Sequence, residues 1–583
     1  TVTVANTLYI PSILTTADGT GTLVMASADA LLEVTNALSV GADAGNENVR
    51  NAYPRLLLSN GTLRVGEVKL GRRSNGLLYI GAATVTAVRI QDLGFNMGYS
   101  SSPNAGTGTL VLAESGSLLD SSSANFRMGV TVDSTAFVRM SNGVMNTASL
   151  RMGVANRTLS DFWMADATLN STGDWQMAAA ANTTSLFTMA HARSLVSITN
   201  GSVSMAVKSN SVSTLTVSNG TFLVPFLDIG SATASDAGPN GNGELRIHAG
   251  TVTVTLATST GYGMNLGGRA GNTGVVMLTH SAARLSITNG SRLRLGNSGS
   301  AYLIVSNGSA QVLEQIRLGE SQYGEGGISI YNGTVKTGQR LTIGFSGTGV
   351  VNLDHPNALL EVGEAIWIGD IASTQTNGTG ALNISNGTVR AISPGLDHLV
   401  GSYNQTGICR TVVNLLNGTL DLNGGALVVG SRTASDAGFN LSGGTANIAR
   451  ITLLGLSSAT LGAATSTVAV SGGLLNLGAL NTLGTTPGGR SNVWLSGGTI
   501  RSTTSFLSNV SITLTNAPGP GLVTFDVTDD VVRLSGVIGG PGRLRKTGTG
   551  LLQLNAVNGY GGTEVAGGIL AVQNRTGSGT GTG

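Results

Sequence analysis

The 583-residue chain is predicted to be all-β, a parallel β-helix (β-solenoid) with about three short strands per rung and roughly twenty rungs. Three observations predict it. One phrase of residues recurs along the chain, the apolar residues inside it alternate with small polar ones, and the spacing within the phrase stays nearly constant while the length between phrases varies.

Each phrase opens on an apolar alternating run, as in Leu382-Asn383-Ile384-Ser385, whose period of two belongs to a strand. Asn-Gly or Gly-Gly follows, at Asn60-Gly61, Asn142-Gly143, Asn219-Gly220, Asn307-Gly308, Asn332-Gly333, Asn386-Gly387, Asn417-Gly418, Gly443-Gly444 and Gly472-Gly473. These are read as corners, because both residues tolerate the positive φ that a sharp change of strand direction needs. A second short run, such as Val254-Thr255-Leu256, is again a strand. A third run ends in a closing glycine, at Gly41, Gly71, Gly98, Gly129, Gly153, Gly230, Gly267, Gly296, Gly319, Gly344, Gly369, Gly401, Gly430, Gly455 and Gly484. Most steps are roughly 23 to 32 residues, the range of repeat arrays. The gap between Gly153 and Gly230 is filled by Trp175-Gln176-Met177-Ala178 and Val203-Ser204-Met205-Ala206, with Ala in place of Gly.

Asn-Gly between apolar runs is also a hairpin signal, which would give antiparallel sheets or a propeller. The near-constant distance of about 10 to 12 residues from Asn-Gly to the closing Gly favours a solenoid rung instead, with insertions at one corner. A single rung buries too little apolar surface to offset the entropy of ordering it, so neighbours must supply the remainder and the array stands or falls as a stack.

Glycine numbers 86, aromatics are 4% and charged residues 11%, against about 25% charged in ordinary domains. Small residues suit narrow rungs. The net charge of +2, from 32 basic and 30 acidic residues, gives no electrostatic footprint for nucleic acid or an anionic membrane. Lysine occurs only at Lys69, Lys208, Lys336 and Lys546, the rest of the basic set being arginine. Arginine can fork onto carboxylates or sulfates of acidic glycans, but biased codon usage is the blander and favoured explanation of the excess. Cys409 stands alone, so no intrachain disulfide forms, and no segment reaches the apolar length of a transmembrane helix. The start at Thr1, inside a Thr-Val-Thr-Val run without Met, is expected of a processed product whose signal peptide has been removed.

Insertions after the closing Gly are rich in Asp, Ala, Gly and Asn, as at 41–46, at 233–238 and in an identical six-residue copy at 433–438. Such a row of loops is a place for ligands. Asp236, Asn240, Asn242 and Glu244 offer oxygen ligands for calcium, but their spacing matches no calcium loop and solvated turns explain them. Polysaccharide-cleaving chemistry needs converging carboxylates or an acid beside a histidine. The candidates are Asp526, Asp529 and Asp530, and the pairs Asp354-His355 and Asp397-His398, which two rungs can bring together. The histidines at 191, 248, 280, 355 and 398 are far apart in sequence. Ordinary surface polarity accounts for all of these, so no catalytic, cofactor-binding or metal residue is assigned. Asn60, Asn219, Asn332 and Asn386 are formal N-glycosylation acceptors, but stacked Asn corners with amides bonded rung to rung are the more economical reading. Trp163, Trp175, Trp367 and Trp494 are too scattered to imply a sugar-stacking platform.

Near the C-terminal end the pattern changes. Gly542, Leu544, Lys546, Gly548, Gly550, Leu552 and Leu554 are followed by Asn558, Tyr560, Gly562, Thr563, Val565, Gly568, Leu570 and Val572. On these residues the stretch from Leu534 to Val572 resembles the autotransporter-associated β-strand repeat, also called the passenger-associated transport repeat. The other units are similar, more loosely, to Gly/Thr/Asn-rich β-helices of large exported bacterial proteins. The resemblance implies an exported, cell-surface β-helix in which the repeat assists folding during secretion. It divides the chain into a solenoid array at 1–533, the repeat continuing it at 534–572 and a Gly/Thr-rich tail at 573–583.

The expectation is therefore an extracellular bacterial structural or adhesive β-solenoid at the cell surface, not an enzyme and without cofactor. Open end strands suggest self-association head to tail into a filament, sheath or layer. The alternatives are a polysaccharide lyase or hydrolase and an adhesin for surface glycans.

Overall fold

A computed structural model describes residues 1–10, 21–41, 53–72, 75–87, 95–97, 106–230, 240–255, 261–369, 378–401, 409–430, 435–453, 465–482, 490–517, 520–574 and 576–582. Among them there is no helix, and parallel strands wind into about 17 turns with about three strands per rung, close to the roughly twenty expected. Hairpins are excluded because a strand pairs with its counterpart one rung on. Thr379–Ile384, for example, runs parallel to Thr348–Leu353, in register from Thr348↔Thr379 to Leu353↔Ile384. The chain divides into two compact units, Thr1–Arg292 with Gly299–Ala301, and Leu293–Ser298 with Tyr302–Gly583, each a parallel solenoid by itself.

A typical first strand has six residues, with the second, fourth and sixth buried, as in Thr184–Met189. The parallel register stacks like positions, so Val138, Phe162, Phe187 and Leu215 form one internal column in the first unit. Phe162 and Phe187 stack at 4.7 Å between ring centroids. Trp175 of the third strand Trp175–Met177 meets Phe187 at 5.4 Å and Phe222 of the second strand Thr221–Val224 at 5.8 Å. All three walls of the rung thus share one core, which is what makes the alternation informative.

The closing corner is the tightest part of the rung. Gly71, Gly129, Gly153, Gly230, Gly267, Gly296, Gly319, Gly344, Gly369 and Gly430 take φ between +61° and +79°, and Gly41 and Gly401 lie at +150° and +130°. Ala178 (+54°) and Ala206 (+56°) hold the same conformation, as their position in the phrase requires. Gly98, Gly455 and Gly484 lie outside the described residues. The closing N–H extends the ladder to the preceding rung, as in Gly344 N–H to Leu318 O at 3.0 Å. Directly against it sits the second residue of the next first strand. A Cβ on Gly349 would come within 2.1 Å of the Gly344 nitrogen, and one on Gly326 within 2.9 Å of that of Gly319. In three rungs this residue is a Ser whose hydroxyl accepts the closing N–H: Ser160 from Gly153 (3.0 Å), Ser185 from Ala178 (2.9 Å) and Ser213 from Ala206 (2.8 Å), the last N–H also reaching Met177 O at 3.0 Å.

The first corner corrects the expectation in one respect. Gly61, Gly143, Gly220, Gly308, Gly387, Gly418, Gly444 and Gly473 have φ between +71° and +107°, but the Asn before them do not take positive φ, and neither does Gly333. Asparagine serves through its side chain: the Asn332 amide donates to Asn307 Oδ1 and that of Asn417 to Asn386 Oδ1, each at 3.1 Å. A second correction concerns the repeated six-residue insertion. Its copy at 233–238 and the insertion at 42–46 lie outside the described residues, whereas Ser435–Leu441, which includes the end of the second copy, is a first strand paired with Cys409–Leu415.

In the stretch from Leu534 to Val572, strands Ile538–Gly540, Arg543–Thr547 and Leu551–Leu554 continue the ladders. Lys546 is fully buried, and its ammonium donates to the carbonyls of Gly548 (2.9 Å), Gly567 (3.2 Å), Val527 (3.4 Å) and Thr547 (2.5 Å). Burial pushes its pKa below the ordinary lysine value, with the charge of Asp526 opposing. Asn558 accepts from Ile538 N–H (2.9 Å) and donates to Gly579 O (2.9 Å), while the Tyr560 hydroxyl meets Thr563 Oγ1 at 2.6 Å.

Two outcomes follow for stability. Gly344→Ala, which forces a Cβ to 2.1 Å from Thr379 O at φ +72°, is expected to cost about 3 kcal/mol or more in urea unfolding, whereas Ala178→Gly changes stability by less than about 1 kcal/mol. Lys546→Met removes the ammonium from the Gly548 and Gly567 carbonyls and the second donor from those of Val527 and Thr547, which keep the Gly550 and Val527 N–H, and is expected to lower stability by about 2–4 kcal/mol, read as early loss of hydrogen-exchange protection across residues 538–572.

Candidate functional site

The residues singled out for chemistry are mostly corner and ladder residues. His191, His280 and His355 occupy one place in the rung, the start of a turn between first and second strands, at Ala190–Ser194, Thr279–Ala283 and Asp354–Ala358. Each has its carbonyl bonded to the N–H three residues on and its Nδ1 accepting the N–H two residues on, at 3.3, 3.1 and 3.2 Å. They replace Asn-Gly by a different turn chemistry, in which the ring mimics an Asx side chain. His248, on a further first corner, lies 5.2 Å from the His280 ring and 3.0 Å from Thr279 Oγ1.

Asp354-His355 and Asp397-His398 do not come together as the sequence suggested, since the first pair sits at the first corner and the second opens the third strand Asp397–Val400. His398 points into the core, 1% exposed, with Nδ1 accepting the Ile366 N–H at 3.1 Å. Its proton therefore rests on Nε2, which reaches no hydrogen-bond partner among the described residues. Desolvation lowers its pKa to about 4, against the opposing charge of Asp397.

Asp526 pairs with Arg501 at 2.8 Å and accepts from Thr547 at 3.2 Å, while Asp529 accepts from Thr549 at 3.1 Å, so the acidic group is spread among separate partners. Asp236 lies outside the described residues. Asn240 donates to Asn210, Asn242 opens a strand and Glu244 pairs with Arg246 at 2.7 Å, so they do not converge. Among the described residues no three acidic, His or Cys side chains group as metal ligands. Several arginines pair with carboxylates one rung away, bidentately in Arg157–Asp133 (2.7 and 2.8 Å) and Arg294–Glu320 (2.9 and 3.1 Å). The Cys409 thiol is buried and meets Gly369 O at 3.5 Å.

What the sequence reading missed is a column. The fifth residue of each first strand points outward, and parallel register stacks these residues about 4.8 Å apart. In the first unit the column reads Arg139, Trp163, Thr188, Thr216 and Arg246. With Asp161, Leu186 and Thr214 these line an open trough of about 630 Å³. Arg139 bonds Asp161 at 2.5 Å and Arg246 bonds Glu244 at 2.7 Å, so each end carries a paired guanidinium and the floor between is hydroxyl and indole. Arg246 is held above its ordinary pKa by that hydrogen bond.

In the second unit the same strand position reads Asn352, Asn383, Asn414, Asn440, Ala469, Trp494 and Thr513. The four amides form a ladder, each Nδ2 donating to the preceding Oδ1 at 2.9, 2.9 and 2.8 Å. Ala469 interrupts it, and beyond the gap Trp494 is 48% exposed. The gap opens a trough of about 300 Å³ bounded by Asn414, Asn440, Ser471, Trp494 and Thr515. The signal was available by aligning first strands on their sixth, buried residue. Of the other tryptophans, Trp175 is buried and Trp367 lies under the Arg340 guanidinium at 3.5 Å.

No family model, curated protein or solved structure matches the chain. No helix among the described residues is long and apolar enough to cross a membrane.

The buried His398 makes stability pH-dependent. Its folded pKa of about 4 lies below the ordinary value of 6.5, so the unfolded chain takes the proton first and stability is lost as pH falls through that window, levelling off below it. The expected loss is roughly 3 kcal/mol between about pH 7 and pH 4, and His398→Leu removes this share from chemical denaturation curves measured across the window.

Proposed function

We propose that the protein is an extracellular bacterial β-solenoid with a structural or adhesive role at the cell surface, and that it is not an enzyme. What supports this reading is the set of contacts made by the distinctive residues of the Leu534–Val572 stretch. Lys546 ties together carbonyls on both sides of its corner, from Val527 to Gly567. Asn558 bridges Ile538 to Gly579, and Tyr560 meets Thr563. Lys546 and Asn558, two of the residues that carry the resemblance to the autotransporter-associated repeat, thus join one rung to the next, as a repeat assisting the folding of an exported β-helix needs. The outward troughs suit adhesion, because rigid ladders hold their side chains at a fixed spacing.

Self-association forms part of the proposal. Strand Val2–Val4 pairs along one edge with Leu32–Val34, and a parallel ladder of this kind accepts a further strand on its other edge, whatever chain supplies it. Multi-angle light scattering of the purified chain is expected to show mass rising with concentration.

The location is tested on intact cells of the bacterium that encodes the chain, by antibody labelling and by external protease. Labelling and cleavage without lysis are expected. Protein that becomes accessible only after lysis overturns the surface role.

A further inference from the structure

We infer that the trough at the end of the amide ladder in the second unit is a binding site for a neutral glycan, with a pyranose ring stacked on Trp494 and its hydroxyls held by Asn440. This rests on the adhesive reading and gives it a ligand class.

Three observations converge on it. The ladder Asn352–Asn383–Asn414–Asn440 satisfies its amides internally, each Nδ2 being donated backwards along the column, so at its far end the Asn440 Oδ1 faces the interruption. The next residue is Ala469, which has no polar side-chain atom to continue the ladder and no bulk to fill the space. The residue after that is Trp494, whose indole is half exposed where the other members of the column are short. A site in which an apolar plate stands two rungs beyond an amide acceptor, across the Ala469 gap, matches a molecule with one apolar C–H face and a rim of hydroxyls. Pyranosides have that form, and indole supplies a large rigid contact surface with one polar edge.

Size and charge agree. The volume of about 300 Å³ is at the lower end for small-molecule sites, and the column from Asn414 to Thr513 spans about 19 Å at the inter-rung spacing, room for a short oligosaccharide lying along the stack. No charged side chain lines the trough. An acidic glycan would find no cation there, and a peptide strand would find ladder carbonyls and amides already paired on this face. The trough of the first unit differs in kind, because Arg139 and Arg246 stand at its two ends.

The purified full-length chain is titrated with neutral tetrasaccharides (β-1,4-glucan, α-1,4-glucan, β-1,4-mannan, β-1,4-galactan and chitin-type) and with tetragalacturonate, by calorimetry and tryptophan fluorescence. At least one neutral tetrasaccharide is expected to bind and to shift the emission. Trp494→Ala should weaken it about tenfold or more, Trp494→Phe should restore part of the affinity, and Asn440→Ala should weaken it several-fold. Trp163→Ala should leave it unchanged, with unfolding midpoints of all four variants near that of the parent, since Trp494 and Trp163 point outward. Absence of binding by every neutral probe, preference for tetragalacturonate, or binding that survives Trp494→Ala overturns the inference. Because these measurements use purified protein, their failure is separate from failure of the surface role, which the cell-labelling experiment reads.

Discussion

Everything in the rung is set by how closely its last corner approaches the start of the next turn. The closing residue must turn in the left-handed region while its N–H continues the ladder, as Gly344 does towards Leu318 O, and the next strand must begin in contact with that same backbone. Glycine, alanine or serine takes the second position of that strand in most rungs, with Thr411 an exception. Gly349 and Gly326 leave the space to the neighbour's backbone, while Ser160, Ser185 and Ser213 turn the contact into a hydrogen bond. The glycine-rich composition follows from this contact repeated along the stack. The two alanine closures occur where the following strand supplies a serine, so an unfavourable backbone conformation and an additional hydrogen bond appear together at Ala178 and Ala206.

Once corners and inward positions are fixed, little of a rung is free to vary. The fourth and sixth residues of the first strand are core, the second is limited by the closing corner, and the first corner is held in many rungs by a left-handed glycine and in others by the His turn of His191, His280 and His355. The outward third and fifth residues escape these limits. Parallel register then makes any choice at the fifth position a neighbour of the choices one rung away, so an amide ladder or a row of hydroxyls, guanidinium and indole is assembled from residues about 25 to 30 positions apart. Recognition in such a fold is written in columns across the rungs rather than in local motifs.

This explains what could be read from the sequence. Strands, closing glycines and the Ala178 and Ala206 substitutions were legible because each is a local demand of the backbone. Stacked Asn corners were legible in kind, and Asn332–Asn307 and Asn417–Asn386 realise them, though at these first corners the asparagine does not take the left-handed backbone that Asn289 takes elsewhere. The histidines were obscure because their role lies in a three-residue turn that resembles no familiar corner signal. The four tryptophans looked scattered because they have different surroundings: Trp175 is core, Trp367 lies under Arg340, and Trp163 and Trp494 share a strand position that only the register reveals. Asp397-His398 was read as a surface pair because sequence alone does not say that the histidine side of that strand faces inward.

The closing corner also bears on how such a chain changes over generations. Because the contact between one closing residue and the next second-position residue is chemically the same at Gly319 and Gly326 as at Gly344 and Gly349, a segment copied or excised between two equivalent points rejoins into a corner the fold already accepts. Unequal recombination can therefore lengthen or shorten the array in whole turns while leaving each junction intact. What such an event does alter is adjacency on the outside. Removing the one turn that carries Ala469 would carry the amide ladder straight to the indole and close the gap between them, a change of the outer surface that leaves the core pattern as it was.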